Sequence, residues 1–209
     1  DAADLQNFFV DLKISFENGN STLRFGRQEL QLGRQRLVSP LDWSNTRPRM
    51  FDGFRGTVEF TDWRLDGFHT RFVKVRKYAF NGNNAGTDFS GLYLTGRLRE
   101  RLKADFYWLG LDREASVWNG ASGPENRHTI GARLGGGLAD SSINFDVEGA
   151  YQFGEHGTTD IRAFMFAGEL GSSFNQVYGL PRLQLGFDWA SGDQDPTDGE
   201  VNTFDQLFE

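Results

Sequence analysis

The feature that most constrains this chain is a two-residue rhythm. From 143 to 153, Ile143, Phe145, Val147, Gly149, Tyr151 and Phe153 alternate with Asn144, Asp146, Glu148, Ala150 and Gln152. Successive side chains of a β-strand point to opposite faces, so this segment carries one oily face and one charged face. Leu183, Leu185, Phe187 and Trp189 alternate in the same way with Arg182, Gln184, Gly186 and Asp188. Val10, Leu12, Ile14 and Phe16 do so against Asp11, Lys13, Ser15 and Glu17.

Turn chemistry and alternation predict about ten strands, near residues 5–17, 21–32, 51–61, 65–77, 89–99, 102–113, 127–138, 142–154, 160–172 and 181–191. Two places break the rhythm. Parity slips at Gly26, after which Arg27 and Glu29 take the polar face, which suggests a glycine bulge. Between Lys103 and Asp112, Phe106 and Trp108 on one parity compete with Tyr107 and Leu109 on the other.

Composition decides where the oily faces go. Of 209 residues only 38% are hydrophobic, yet 14% are aromatic, with 20 Phe, 2 Met and 26 Gly. That is too aromatic for disorder and suits a sheet better than a helical bundle. No apolar run is long enough for a membrane-spanning helix, but a barrel strand needs only about 9–11 residues with every second one apolar. The net charge of -7 argues against a nucleic-acid partner, and the absence of cysteine excludes disulfides and thiolate metal sites.

The connections alternate between tight turns, such as Asn18-Gly19-Asn20, and long loops at 33–50, 78–88 and 114–126. Such alternation is the mark of an all-β, antiparallel up-and-down transmembrane barrel with tight turns in the periplasm and long loops outside. The first and tenth strands then both end on the outer rim. This predicts a single β-barrel domain over 1–209 that is an internal part of a larger barrel, incomplete at both ends.

The polar faces supply the candidate chemistry. Lys13, Arg24, Arg27, Arg55, Arg71, Lys74, Arg97, Arg133 and Arg182 are the expected lumen cations, and Glu29 joins them. An arginine fork stays charged and pairs bidentately with carboxylates or phosphates, and a ladder of such groups passes anions between weak sites. The competing reading is that these cations pair with Asp11, Glu29, Glu59, Asp146, Glu148 and Asp188 to build a wall. In the run from Asp193 to Glu200, Asp193, Asp195 and Asp198 are weak calcium candidates, but the spacing departs from an EF-hand and an acidic solvated loop is the simpler reading. No other metal, cofactor or catalytic motif stands out: His69, His128 and His156 are scattered, and Ser122 lies in a glycine-rich loop.

The stretch GRQELQLGRQRL followed by PLDWSNTRPRMFDG resembles the alginate-export family of outer-membrane barrels. The likeness is strong from Arg24 to Phe60 and moderate in ASGDQDPTDGEVNTFDQLF, residues 190–208. It implies a bacterial outer-membrane location, a barrel of roughly eighteen strands, and a conduit for a polyanionic uronic-acid polymer. Arg27, Glu29, Arg36, Asp42, Trp43, Asn45 and Asp52 sit in the matching motif. The expected function is therefore passive export or diffusion of anionic polysaccharide or other small anions through an arginine-lined lumen. Outer-membrane lipid and a periplasmic export partner accompany it, with no cofactor and no enzymatic turnover. The alternatives are an adhesive barrel with a plugged lumen and a soluble β-rich carbohydrate-binding protein that uses Trp43, Trp118 and Trp189.

Overall fold

The computed structural model describes residues 5–40, 49–76, 79–138, 141–174 and 176–208. Ten antiparallel strands lie in sequence order in one sheet: β1 (Phe8–Phe16), β2 (Gly19–Gln28), β3 (Phe51–Phe60), β4 (Trp63–Lys74), β5 (Gly82–Arg99), β6 (Leu102–Trp118), β7 (Ala121–Gly137), β8 (Ile143–His156), β9 (Thr159–Ser173) and β10 (Arg182–Ala190). A short β11 (Glu200–Val201) pairs in parallel with the start of β9. β1 and β10 do not pair with each other, so the sheet is open.

The alternation places side chains as the pattern demands. Val10, Leu12, Ile14, Phe54, Phe106, Ile130, Phe166, Leu185 and Phe187 are exposed on one face, while Asp66, Asp105, Asp146, Glu148 and Gln152 are buried on the other. An exposed apolar face this large is incompatible with water and matches contact with acyl chains. From Ile143 to Phe153 the strand rises about 33 Å, or about 25 Å along a barrel axis at a tilt of about 40°, which is the height of a barrel's apolar band.

The ambiguous strand β6 is resolved. Phe106 and Trp108 face outward, and Tyr107, Leu109 and Leu111 are buried inside. Both parities are apolar there because two other segments of the chain pack over the inner face. Residues 29–40 leave β2 and turn inward, burying Leu30, Leu32, Leu37 and Val38. The tail after β10 joins them, burying Phe204 and Phe208 in the same cluster. The predicted strand 21–32 therefore ends at Gln28.

No bulge occurs at Gly26. The register runs unbroken through Phe9, Gly26 and Gly53, and Gln28 and Phe51 are fully buried on the inner face. Arg27 thus keeps the outward parity of Phe25. What looked like a slip is the outer face turning polar: Arg27, Asp52, Arg71, Asp88, Asp112, Asn126, Glu155 and Asp160 are consecutive cross-strand neighbours from β2 to β9. This row marks one edge of the apolar band.

The loop expected at 114–126 is a hairpin extension instead. β6 and β7 run on to a two-residue turn at Asn119 and Gly120, whose φ angles of 52° and 78° are those of a type I′ turn. β8 and β9 also meet in a two-residue turn, at 157–158. Loop length therefore does not alternate strictly, although the β2–β3 loop, this overhang and the tail all lie at one end. The two-residue turns at 17–18, 61–62 and 100–101 lie at the other.

An arginine placed at the middle of the oily band must be dehydrated, whereas one in the polar row need not be. Phe106→Arg is expected to cost about 2–4 kcal/mol and Asn126→Arg about 0–1 kcal/mol, as measured by urea-titrated refolding of the full-length protein into lipid vesicles. Equal costs would show that Phe106 does not face lipid.

Candidate functional site

The inner face falls into zones, described from the long-loop end downward. Near that end Arg127 is fully buried. It donates from Nε to Glu125 and from Nη1 to Gln152 Oε1 at 2.7 Å, and it lies 4.7 Å from the Trp118 ring centroid. Arg113 Nη1 bridges Glu125 Oε2 at 3.0 Å and Asp205 Oδ2 at 2.6 Å. The Gln152 amide donates to Asp205 O at 2.7 Å and accepts from Asp205 N at 2.8 Å. These bonds stitch the tail to β7 and β8.

Next comes an aromatic cluster. The Phe208 ring lies 5.0 Å from Phe51, 4.8 Å from Phe89 and 5.4 Å from Phe72. Val38 and Phe208 form an isolated parallel bridge, with Ser39 N donating to Phe208 O at 3.0 Å and Phe208 N to Leu37 O at 2.9 Å. The two inner segments thus form one strap across the sheet.

The strap delivers Arg36 to a lattice of charge. Its Nη1 donates to Asp146 Oδ1 and Glu148 Oε2, and its Nη2 to Glu169 Oε1, each at 2.9 Å. Arg34 reaches Glu169 Oε2 at 2.9 Å, and Arg133 joins Asp105 at 2.7 Å to Asp146. Tyr93 and Tyr107 stack with centroids 5.3 Å apart and donate to Asp105 and Glu148 at 3.1 and 2.9 Å. Three guanidiniums here meet four carboxylates, so none of the three is free. Burial opposes the charge on Arg36, but the hydrogen bonds and fields of Asp146 and Glu148 outweigh it and hold its pKa above the ordinary arginine value.

Other inner-face cations are engaged as well. Arg24 forks onto Asp11 at 2.7 and 2.8 Å, under the ring of Phe9. Arg55 and Arg64 both bind Asp66, and Arg64 also reaches Glu59. Lys13, Arg97 and Arg182 share the inner parity and stay exposed.

Several expected lumen residues lie elsewhere. Arg27 and Arg71 are on the outer polar row, where they bind Asp52 and Asp88 at 2.7 and 2.9 Å. Glu29 accepts from Asn7 at 3.1 Å. Lys74 is exposed at the end of β4. Asp42, Trp43 and Asn45 lie outside the described residues. The carboxylates of Asp193, Asp195 and Asp198 accept hydrogen bonds from the backbone amides of Asp195, Thr197 and Glu200, which occupies them within the loop. The hydroxyl and amide of Thr197 hold the Asp195 pKa below its usual range. Among the described residues, no group of three or more His, Cys, Asp and Glu side chains is placed to hold a metal ion.

The expectation of a loop at 114–126 concealed Glu125, while Arg113 and Arg127, at the last and first positions of their predicted strands, were not singled out. Continuing the β7 alternation back past Thr129 would have put Arg127 and Glu125 on the inner face. Tyr93 and Tyr107 were hidden because tyrosine scores as oily although its hydroxyl faces the lattice.

An up-and-down sheet with an oily outer band and an ion-paired inner face is the wall of an outer-membrane β-barrel. The chain belongs to the alginate-export family, whose model, described as "Alginate export", matches residues 1–209. This is an outer-membrane transport family rather than an enzyme family. Comparison with curated proteins and with solved structures found no match.

Arg127 and Glu125 are both sealed from solvent, and removing Arg127 leaves Glu125 to Arg113 and Trp118 alone. Arg127→Met is expected to lower unfolding free energy by about 1–3 kcal/mol, because Arg113 still neutralises Glu125. The double variant Arg127→Met, Glu125→Gln should lose less than the two single variants added together, measured in the same urea titration. Additive losses would show that the pair does not act as a unit.

Proposed function

We propose that this wall lines a passive conduit for anionic polysaccharide, and for smaller anions, across the outer membrane. The observation that carries the reading is the lattice around Arg36 and Arg133, where each guanidinium is shared among wall carboxylates. A uronic-acid polymer presents the same carboxylate at every residue. Each arginine can therefore exchange an Asp or Glu of the wall for a carboxylate of the passing chain, and exchange it back. Such a swap has no deep minimum, which suits conduction through many weak sites better than tight capture. No cofactor or covalent step is required, and the solute gradient supplies the drive.

The remaining surfaces suit the same role. Acyl chains of the outer membrane would cover the band around Phe106 and Phe166. The short-turn end would face the periplasm, where an export partner would deliver the polymer. The strap, with Phe208 at its centre, would narrow the lumen and bring Arg34 and Arg36 into the path.

Recording from the full-length protein in planar bilayers under a KCl gradient tests this reading. The wild type should favour anions, and Arg36→Gln should move the reversal potential toward cations, because Asp146, Glu148 and Glu169 lose a shared counter-charge. Cation preference in the wild type would sink the proposal.

A further inference from the structure

We infer that the short-turn mouth of the inner face is a binding site for the carboxylates of an anionic sugar polymer, built from Arg97, Lys103, Arg101 and Arg182. This rests on the conduit reading and adds where the polymer is first captured.

Arg97 and Lys103 are directly opposed across β5 and β6. They share the face of Tyr93 and Tyr107, two rows further toward the turns. Like charges in register across a strand pair repel and destabilise a sheet unless something neutralises them. Little here does. The contact from Arg97 to Asp62 is 3.9 Å, with both side chains more than half or half exposed, and Lys103 has no ion-pair partner among the described residues. On the other side of Lys103 the row continues through Gly135, which offers no side chain, to Asp146. Asp146 is already held by Arg133 and Arg36.

Two cavities meet at this place. One of about 560 Å³ lies against Arg64, Arg97 and Lys103. The other, of about 320 Å³, lies against Arg101, Lys103, Arg133 and Arg182. Lys103 borders both. Arg101 lies over Gly137 and donates to the carbonyls of Leu138 and Ser141 at 3.3 Å, so its positive charge is positioned without being cancelled. Arg182 is exposed and has no ion-pair partner among the described residues. Deeper in, the arginines are shared with wall acids. At the mouth Arg64 is still held by Asp66 and Glu59, and Glu17, Asp62 and Glu100 also line the two cavities. Lys103, Arg101 and Arg182, however, have no ion-pair partner among the described residues, and such cations at an opening raise the local concentration of a polyanion and speed its capture.

The test is single-channel recording of the full-length protein with an oligouronate of defined length added to one side at a time, at low salt. Heat-modifiable gel mobility confirms that each variant is folded. In Lys103→Gln, Arg182→Gln the rate of oligouronate blocking events from the short-turn side should fall about tenfold, and from the long-loop side it should not change. Lys103→Arg should keep the wild-type rate, and the difference should vanish near 1 M salt, where the screening length is about 3 Å. Wild-type events from both sides that the double variant leaves unaltered would overturn this site alone. Absence of oligouronate events in a wild-type channel that conducts KCl would instead overturn the polymer-conduit reading, and this site with it.

Discussion

Inside a bilayer every backbone amide and carbonyl must find a partner in the protein, and this constraint shapes the rest of the molecule. Strands meet it by pairing with strands, which fixes the side-chain period at two and forces each residue to choose lipid or lumen. Long registers such as that of β7 with β8 leave no freedom to rotate a misplaced charge away from the oily side. The charged side chains therefore accumulate on one face, where they must neutralise one another. The lattice of Arg36, Arg133, Asp105, Asp146, Glu148 and Glu169 is the outcome.

Most of the architecture was legible because that constraint writes itself into adjacent residues. Ile143 to Phe153, Leu183 to Trp189 and Val10 to Phe16 each identify a strand and its lipid side without reference to anything distant. Legibility failed where a face met something other than lipid or water. β6 looked ambiguous because Tyr107, Leu109 and Leu111 meet the strap, which comes from residues far away in the chain. Arg27 and Arg71 looked like lumen cations because a polar residue on an amphipathic strand is read as facing water inside. They instead stand where the outer face leaves the oily layer, and Asp52 and Asp88 partner them there. Asn119-Gly120 carried a strong local turn signal, overridden by the expectation that polar residues between strands form an open loop.

The candidate site was less legible than the fold. Sequence offered a set of arginines on the right parity and two readings of them, anion ladder or self-paired wall. The structure pairs some of them and leaves others exposed. Arg24, Arg55 and Arg133 are held by wall acids, whereas Arg97, Lys103 and Arg182 near the tight turns are not. The distinction depends on cross-strand neighbours, such as Gly135 opposite Lys103 and Asp66 diagonal to Arg55, and no single strand's sequence contains its neighbour's register.

The bridge between Val38 and Phe208 bears on the order in which the molecule is built. Its two halves leave the sheet at β2 and after β10, so eight of these ten strands lie between them in the chain. Closing so long a loop is entropically costly until β3 to β10 hold its ends together. These strands must therefore zip first, with the interior still wet, and the aromatic cluster around Phe208 can dry out only after them.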